Sequence, residues 1–245
     1  MQPTLTVENL AKRYGVKTVV DQVSFVAATG ECLGVIGPNG AGKTTLFNLL
    51  DGSVRPDAGT MALEGDDITE LAQYRRARRG IGRAFQIPRP FVGLTIFENV
   101  LAGVMHSPRP GGAAPRRRAL EILDCVGLAD KRDLVAGGLP LLDRKRLELA
   151  KAMSVGTRLL LLDEIAGGLT EHEVFHLVDI VNVLKRDHAI IWIEHIAHAL
   201  MAAADRIMVL HFGAKLIEGA PAEVMASPIV QEVYLGISVD DAARA

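Results

Sequence analysis

The stretch GPNGAGKTT at residues 37–45 constrains this chain more than any other. Its spacing is G-x-x-x-x-G-K-[ST], set by Gly37, Gly42, Lys43 and Thr44. ECLGVIG (31–37) before it reads as a short buried strand, and TTLFNLLDG (44–52) after it reads as a helix ending at Gly52. A strand that turns through glycines into a helix leaves a ring of backbone N–H groups, which suits phosphate. Lys43 supplies a point charge toward the β and γ oxygens, and the Thr44 hydroxyl is a Mg²⁺ ligand. Pro38, Asn39, Gly40 and Ala41 complete the loop and Thr45 follows it, so residues 37–45 together form the expected nucleotide-binding segment.

Two further apolar runs, RLLLLDE (158–164) and AIIWIEH (189–195), each lie between helical stretches. Such runs fit parallel strands buried on both faces. Asp163 and Glu164 close the first run, at the carboxyl end of a strand, where ligands gather in open α/β sheets. Asp163 is expected to hold the metal through water, and Glu164 to orient or deprotonate the attacking water. His195 closes the second run, within reach of the γ-phosphate and of that water. Near the N-terminus, TLTVENL (4–10) and VVDQVSFVAA (19–28) read as strands, with Tyr14 between them, and GTMALEGDDIT (59–69) as a strand and turn. From about Pro88 to Gly156 the periodicity becomes helical around the Pro- and Gly-rich stretch 108–115, and the tail ISVDDAARA is expected to fray.

The net charge of −2 gives no global basic field for nucleic acid, and no repeat occurs. The groups RRARR (75–79) and RRR (116–118) are expected to be solvated helix faces, with lipid headgroups or a membrane subunit as the other reading. The two cysteines, Cys32 and Cys125, are expected to be reduced and buried. The N-terminus does not read as a signal peptide, and no apolar run is long enough to span a bilayer.

In this order, these pieces resemble the ATP-binding subunit of ABC transporters, over about residues 4–236. The resemblance implies an α/β P-loop NTPase core of RecA-like type with a parallel sheet, an N-terminal antiparallel β layer and an inserted helical subdomain. Its implied limits are 1–88 and 157–245 for the nucleotide-binding core and 89–156 for the helical, signature-bearing part. It assigns Tyr14 to adenine stacking, and Gln86, in GRAFQIPRPF, to a loop that touches Mg²⁺ and passes movement to the membrane subunit. ATP and Mg²⁺ are the implied cofactors. The implied partners are transmembrane permease subunits, a second ATPase subunit and, indirectly, a solute-binding protein, with the chain on the cytoplasmic face of the membrane. The stretch FQIPRPFVGLTIFENVLAG and the tail FGAKLIEGAPAEVMASPIVQEVYLG resemble ATPases of branched-chain and other hydrophobic amino-acid uptake systems, with urea, amides or aromatic acids as alternative solutes.

One motif departs from the family. Where it carries a serine-glycine-glycine-glutamine turn that grips the nucleotide of the other subunit, this chain has Leu139, Pro140, Leu141, Leu142 and Asp143. Pro140 lacks both hydroxyl and N–H, the leucines crowd the approach, and Asp143 is expected to cap the helix while repelling a phosphate. The expected consequence is a heterodimer with one strong and one weak ATP site, although backbone N–H groups alone can also serve an ordinary variant. Ile165 replaces a usual proline, and Thr170 stands where the dimer-crossing loop has Asp or Asn. The competing classes are a non-transport ABC ATPase of DNA repair or translation, a small-molecule kinase, and a module that binds ATP without hydrolysis. The first would want coiled-coil arms, zinc-spaced cysteines or a second cassette. The kinase would not need Gln86, Asp163-Glu164 and His195 as a series, and Glu164 with His195 argues against the third.

Overall fold

The computed structural model describes residues 3–107 and 114–235. Most of the 108–115 stretch and the tail thought to fray fall outside the described residues. In chain order the first elements are β1 (Leu5–Tyr14), β2 (Lys17–Ala27), β3 (Cys32–Ile36) and α1 (Lys43–Asp51). Then come β4 (Ala58–Leu63), β5 (Asp66–Asp67), α2 (Gln73–Arg78) and β6 (Ile81–Ala84). Three helices follow, α3 (Ile96–His106), α4 (Pro115–Cys125) and α5 (Leu141–Ser154), before β7 (Leu159–Asp163). The chain continues through α6 (Glu171–Leu184), β8 (Ala189–Ile193), α7 (Ala197–Ala203), β9 (Arg206–His211), β10 (Ala214–Gly219) and α8 (Pro221–Ala226).

These elements make two sheets. β2-β1-β4-β5 is antiparallel, and β10-β9-β3-β8-β7-β6 is parallel apart from β10, which runs antiparallel to β9. The unbroken apolar runs have a simple cause: each central strand is buried on both faces. Leu159 and Leu161, with Ile191 and Ile193, point into a core shared with α1 and the antiparallel sheet. Leu160 and Leu162, with Ile190 and Trp192, point into a second core built with α3 to α7. The architecture is the α/β fold with an antiparallel layer that the sequence led us to expect.

β1 is longer than its alternating stretch and carries Tyr14 as its last residue. Asp57 explains the extension, accepting hydrogen bonds from Lys12 Nζ (2.8 Å) and Arg13 N (2.7 Å). β6 escapes detection from periodicity because it has four residues, one of them Gly82, whose hydrogen lies against the Ala152 carbonyl where a Cβ would not fit.

Two expectations about charge and sulfur need correction. Arg76, the second residue of RRARR, is fully buried rather than solvated. Its guanidinium donates to the carbonyls of Leu49 (2.5 Å), Leu50 (3.0 Å), Thr69 (2.8 Å) and Leu71 (2.9 Å). It thereby satisfies the last turn of α1, whose carbonyls have no intrahelical partner. Burial lowers its pKa. Arg76→Ala should destabilise the fold by roughly 3 kcal/mol, since it orphans several buried carbonyls at once. Chemical denaturation reads this directly, and an Arg75→Ala control on the exposed side should be nearly silent. Cys125 is exposed, at the end of α4, whereas Cys32 is buried in β3 and burial pushes its thiol pKa up.

Candidate functional site

The loop between β3 and α1 is held by close backbone approaches. A Cβ on Gly42 would strike the Val19 carbonyl, and one on Gly37 the Leu210 carbonyl. Gly42 also adopts φ 103°, a left-handed conformation that favours glycine. Gly213 N donates to Ala41 O at 3.0 Å and ties the loop to the β9–β10 turn. Lys43 is the first residue of α1, with its ammonium donating to the carbonyls of Gly37 (2.7 Å) and Pro38 (3.1 Å). Burial lowers its pKa, opposed by the carboxylates of Glu164 and Asp163. A cavity of about 240 Å³ opens between residues 39–45, Lys17 and Val19 of β2, and Glu164.

Glu164 follows β7 with φ 46°, an uncommon backbone angle for a non-glycine residue. Strain of this kind persists only where surrounding contacts impose it. Here Glu164 N donates to Ile193 O (2.8 Å). Its carboxylate accepts from Gln86 Nε2 (2.6 Å) and contacts His195 Nε2 (2.7 Å). Three residues widely separated in sequence, Gln86, Glu164 and His195, are thus joined at the edge of the loop cavity. Glu194 beside them is buried, and burial raises its pKa against hydrogen bonds from the backbone of His195, Ala166 and Ile196.

Asp163 is not free-standing. Its Oδ2 lies 2.6 Å from Arg83 Nη2, and Arg83 Nη1 also binds Asp51 (2.7 Å) and Asn48 (2.8 Å) of α1. Arg83 therefore clamps the end of β7 to the helix that carries Lys43. Sequence reasoning missed it, although it stands three residues before Gln86. Lys145 was missed as well. It is buried on α5, donates to the Gln86 carbonyl (2.6 Å), and burial lowers its pKa against the pull of Glu194, Glu148 and Glu164. Tyr14 is half-exposed at the tip of β1, paired in register with Lys17, a wall of the cavity.

At the start of α5, Pro140 occupies the N-cap position and no side chain caps the helix. Asp143 does not do so, contrary to expectation. Its carboxylate is buried, 2.6 Å from Lys131 Nζ and 3.7 Å from Arg146 Nη1, which draw it inward and offset its charge. Leu141 is partly exposed and leans on Gly168, in the loop after Glu164. Leu139 is buried, as is Ile165. Thr170 forms a capping box with Glu173 at the start of α6.

The sequence profile described as "ABC transporter" matches residues 20–167, more than half of the chain. The chain belongs to the ABC transporter family. It is an ATPase subunit of that family. It is 35% identical to the lipopolysaccharide export ATP-binding protein LptB of Acidithiobacillus ferridurans, over 96% of this chain and 98% of that protein. It is also 35% identical to the high-affinity branched-chain amino acid transport ATP-binding protein LivG of Salmonella typhimurium, with the same coverage. Among solved structures, the ADP conformation of MJ1267, an ATP-binding cassette of an ABC transporter, superposes with a TM-score of 0.88 at 28% identity, covering 97% of this chain and 100% of that one. Among the described residues, no helix is long and apolar enough to cross a membrane.

Proposed function

We propose that this ABC ATPase hydrolyses ATP at the cavity between Lys43 and Glu164 and drives solute import through a membrane permease. The observation that carries the catalytic part is the contact of Glu164 with both Gln86 and His195 beside the Lys43 loop. The residues fit a magnesium nucleotide: the ammonium of Lys43 and the loop N–H groups suit phosphate, and Thr44, Asp163 and Gln86 offer the hard oxygen donors Mg²⁺ requires. Bound Mg²⁺ would neutralise charge on the phosphate oxygens. Lys43 holds the β and γ oxygens, and the loop 37–45 supplies backbone donors. Arg83 fixes the orientation of Asp163. Glu164 takes the proton of the attacking water, His195 holds Glu164 and reaches toward the γ-phosphate, and Gln86 reports the state of the site to the permease. Tyr14 flanks the base. Residues 89–156 act as the helical subdomain against a core of 1–88 and 157–245.

The assembly we propose is a heterodimer. The helix start at Leu139–Asp143 offers no hydroxyl, and its one carboxylate is committed to Lys131 and Arg146. This chain therefore grips its partner's nucleotide poorly, while its own site borrows the partner's signature turn.

For the solute we favour branched-chain or related hydrophobic amino acids. The resemblance of FQIPRPFVGLTIFENVLAG to such ATPases supports this, as do the LivG relatives. The equal identity to LptB makes lipopolysaccharide export the reading to beat. Deleting the gene in its own host and measuring uptake of labelled leucine and isoleucine tests the choice. Uptake should fall to background and return with the plasmid-borne gene. Unchanged uptake, with lipopolysaccharide retained in the inner membrane, would decide for export.

A further inference from the structure

The stretch His172-Glu173-Val174-Phe175-His176 on α6 has the spacing H-E-x-x-H, which on a helix places two imidazoles on one face. The nucleotide site uses neither histidine. Both are exposed, and their Nε2 atoms lie 3.0 Å apart, joined by a hydrogen bond, with ring planes at 75°. Two nitrogens that each bond one ion at about 2.0–2.1 Å stand roughly 2.9 Å apart at a right angle and roughly 3.4 Å apart at a tetrahedral angle, which brackets this separation. An ion that displaces the proton shared between the rings meets both nitrogens at chelating separation.

We propose that His172 and His176 chelate a divalent first-row transition metal, of the Zn²⁺, Ni²⁺ or Cu²⁺ class, on the solvent face of α6. Water completes the coordination, since among the described residues no group of three or more His, Cys, Asp and Glu side chains gathers. Imidazole selects these ions over Mg²⁺ and Ca²⁺, so the site is chemically distinct from the oxygen-lined one at Thr44 and Asp163. Zinc-protease chemistry, the other use of this spacing, does not follow. Its general base would be Glu173, but that carboxylate accepts from Thr170 N and Thr170 Oγ1, both at 2.8 Å, in the capping box. The ion would bridge one turn of α6 and stiffen it just after the capping box.

Calorimetric titration of the nucleotide-free, full-length protein with Ni²⁺ and with Zn²⁺ tests the proposal. Wild type should bind one ion at the pair, more tightly for Ni²⁺ than for Zn²⁺. His172→Ala and His176→Ala should each weaken binding by at least about tenfold, because the second imidazole binds intramolecularly. Replacing the exposed His106 should change nothing. Ni²⁺ should raise the unfolding temperature of wild type and not of His176→Ala. Equal affinity in wild type and both variants, or a loss caused by His106→Ala instead, would overturn the assignment.

Discussion

Glu164→Gln should lower ATP turnover of the assembled transporter about a thousandfold while leaving nucleotide affinity nearly intact. The amide keeps the shape and one acceptor oxygen of the carboxylate but cannot take a proton from water. Glu164 is held from both sides, by Gln86 Nε2 and His195 Nε2, and its backbone is pinned through Ile193 O. The variant therefore folds and binds, and the loss falls on the chemical step. His195→Ala should cost less, because it removes the support of the base and leaves the base itself in place. A single-turnover assay with tightly bound ATP separates the two effects from product release.

Lys43→Ala should weaken ATP and ADP binding by at least roughly a hundredfold. An ammonium that bonds two phosphate oxygens gives two charge-assisted contacts, each worth about 1.5–3 kcal/mol. The fold should survive the change. Backbone contacts that do not involve the lysine remain to hold the loop, Gly213 N to Ala41 O and the approaches of Gly37 and Gly42 to neighbouring strands. Without ligand the ammonium rests on the carbonyls of Gly37 and Pro38, where burial lowers its pKa and the carboxylates of Glu164 and Asp163 raise it. Phosphate oxygens are better partners for a buried cation than carbonyls, so the lysine turns from the loop to the ligand. Fluorescent nucleotide titration, with the thermal midpoint as control, reads both parts of the expectation.

Much of the parallel sheet was legible because β3, β7 and β8 are buried on both faces and therefore unbroken in apolarity. Helix α1 was legible from the loop before it and from Gly52 after it. β6 was not, since four residues with a glycine among them carry no period. Arg76 was expected to be solvated and Asp143 to cap its helix, and both are instead buried in charged contacts. Local sequence shows neither set of partners, and only the packed fold reveals that carbonyls surround the first and two cations the second. In the site, Lys43, Asp163 and Glu164 stand at positions that local sequence defines. The Asp51–Arg83–Asp163 network and the bond from Lys145 to Gln86 are tertiary, joining helices and strands far apart in the chain, so no local pattern announces them.

The asymmetry proposed between the two ATP sites rests on the start of α5, and paired substitutions measure it most directly. In the assembled complex, Glu164→Gln in this chain is set against the equivalent change in the partner ATPase, and steady-state hydrolysis is compared. Loss of nearly all turnover with the first, and of less than about half with the second, is the predicted outcome. Equal losses from both, or brisk cooperative hydrolysis by this chain alone, would contradict it.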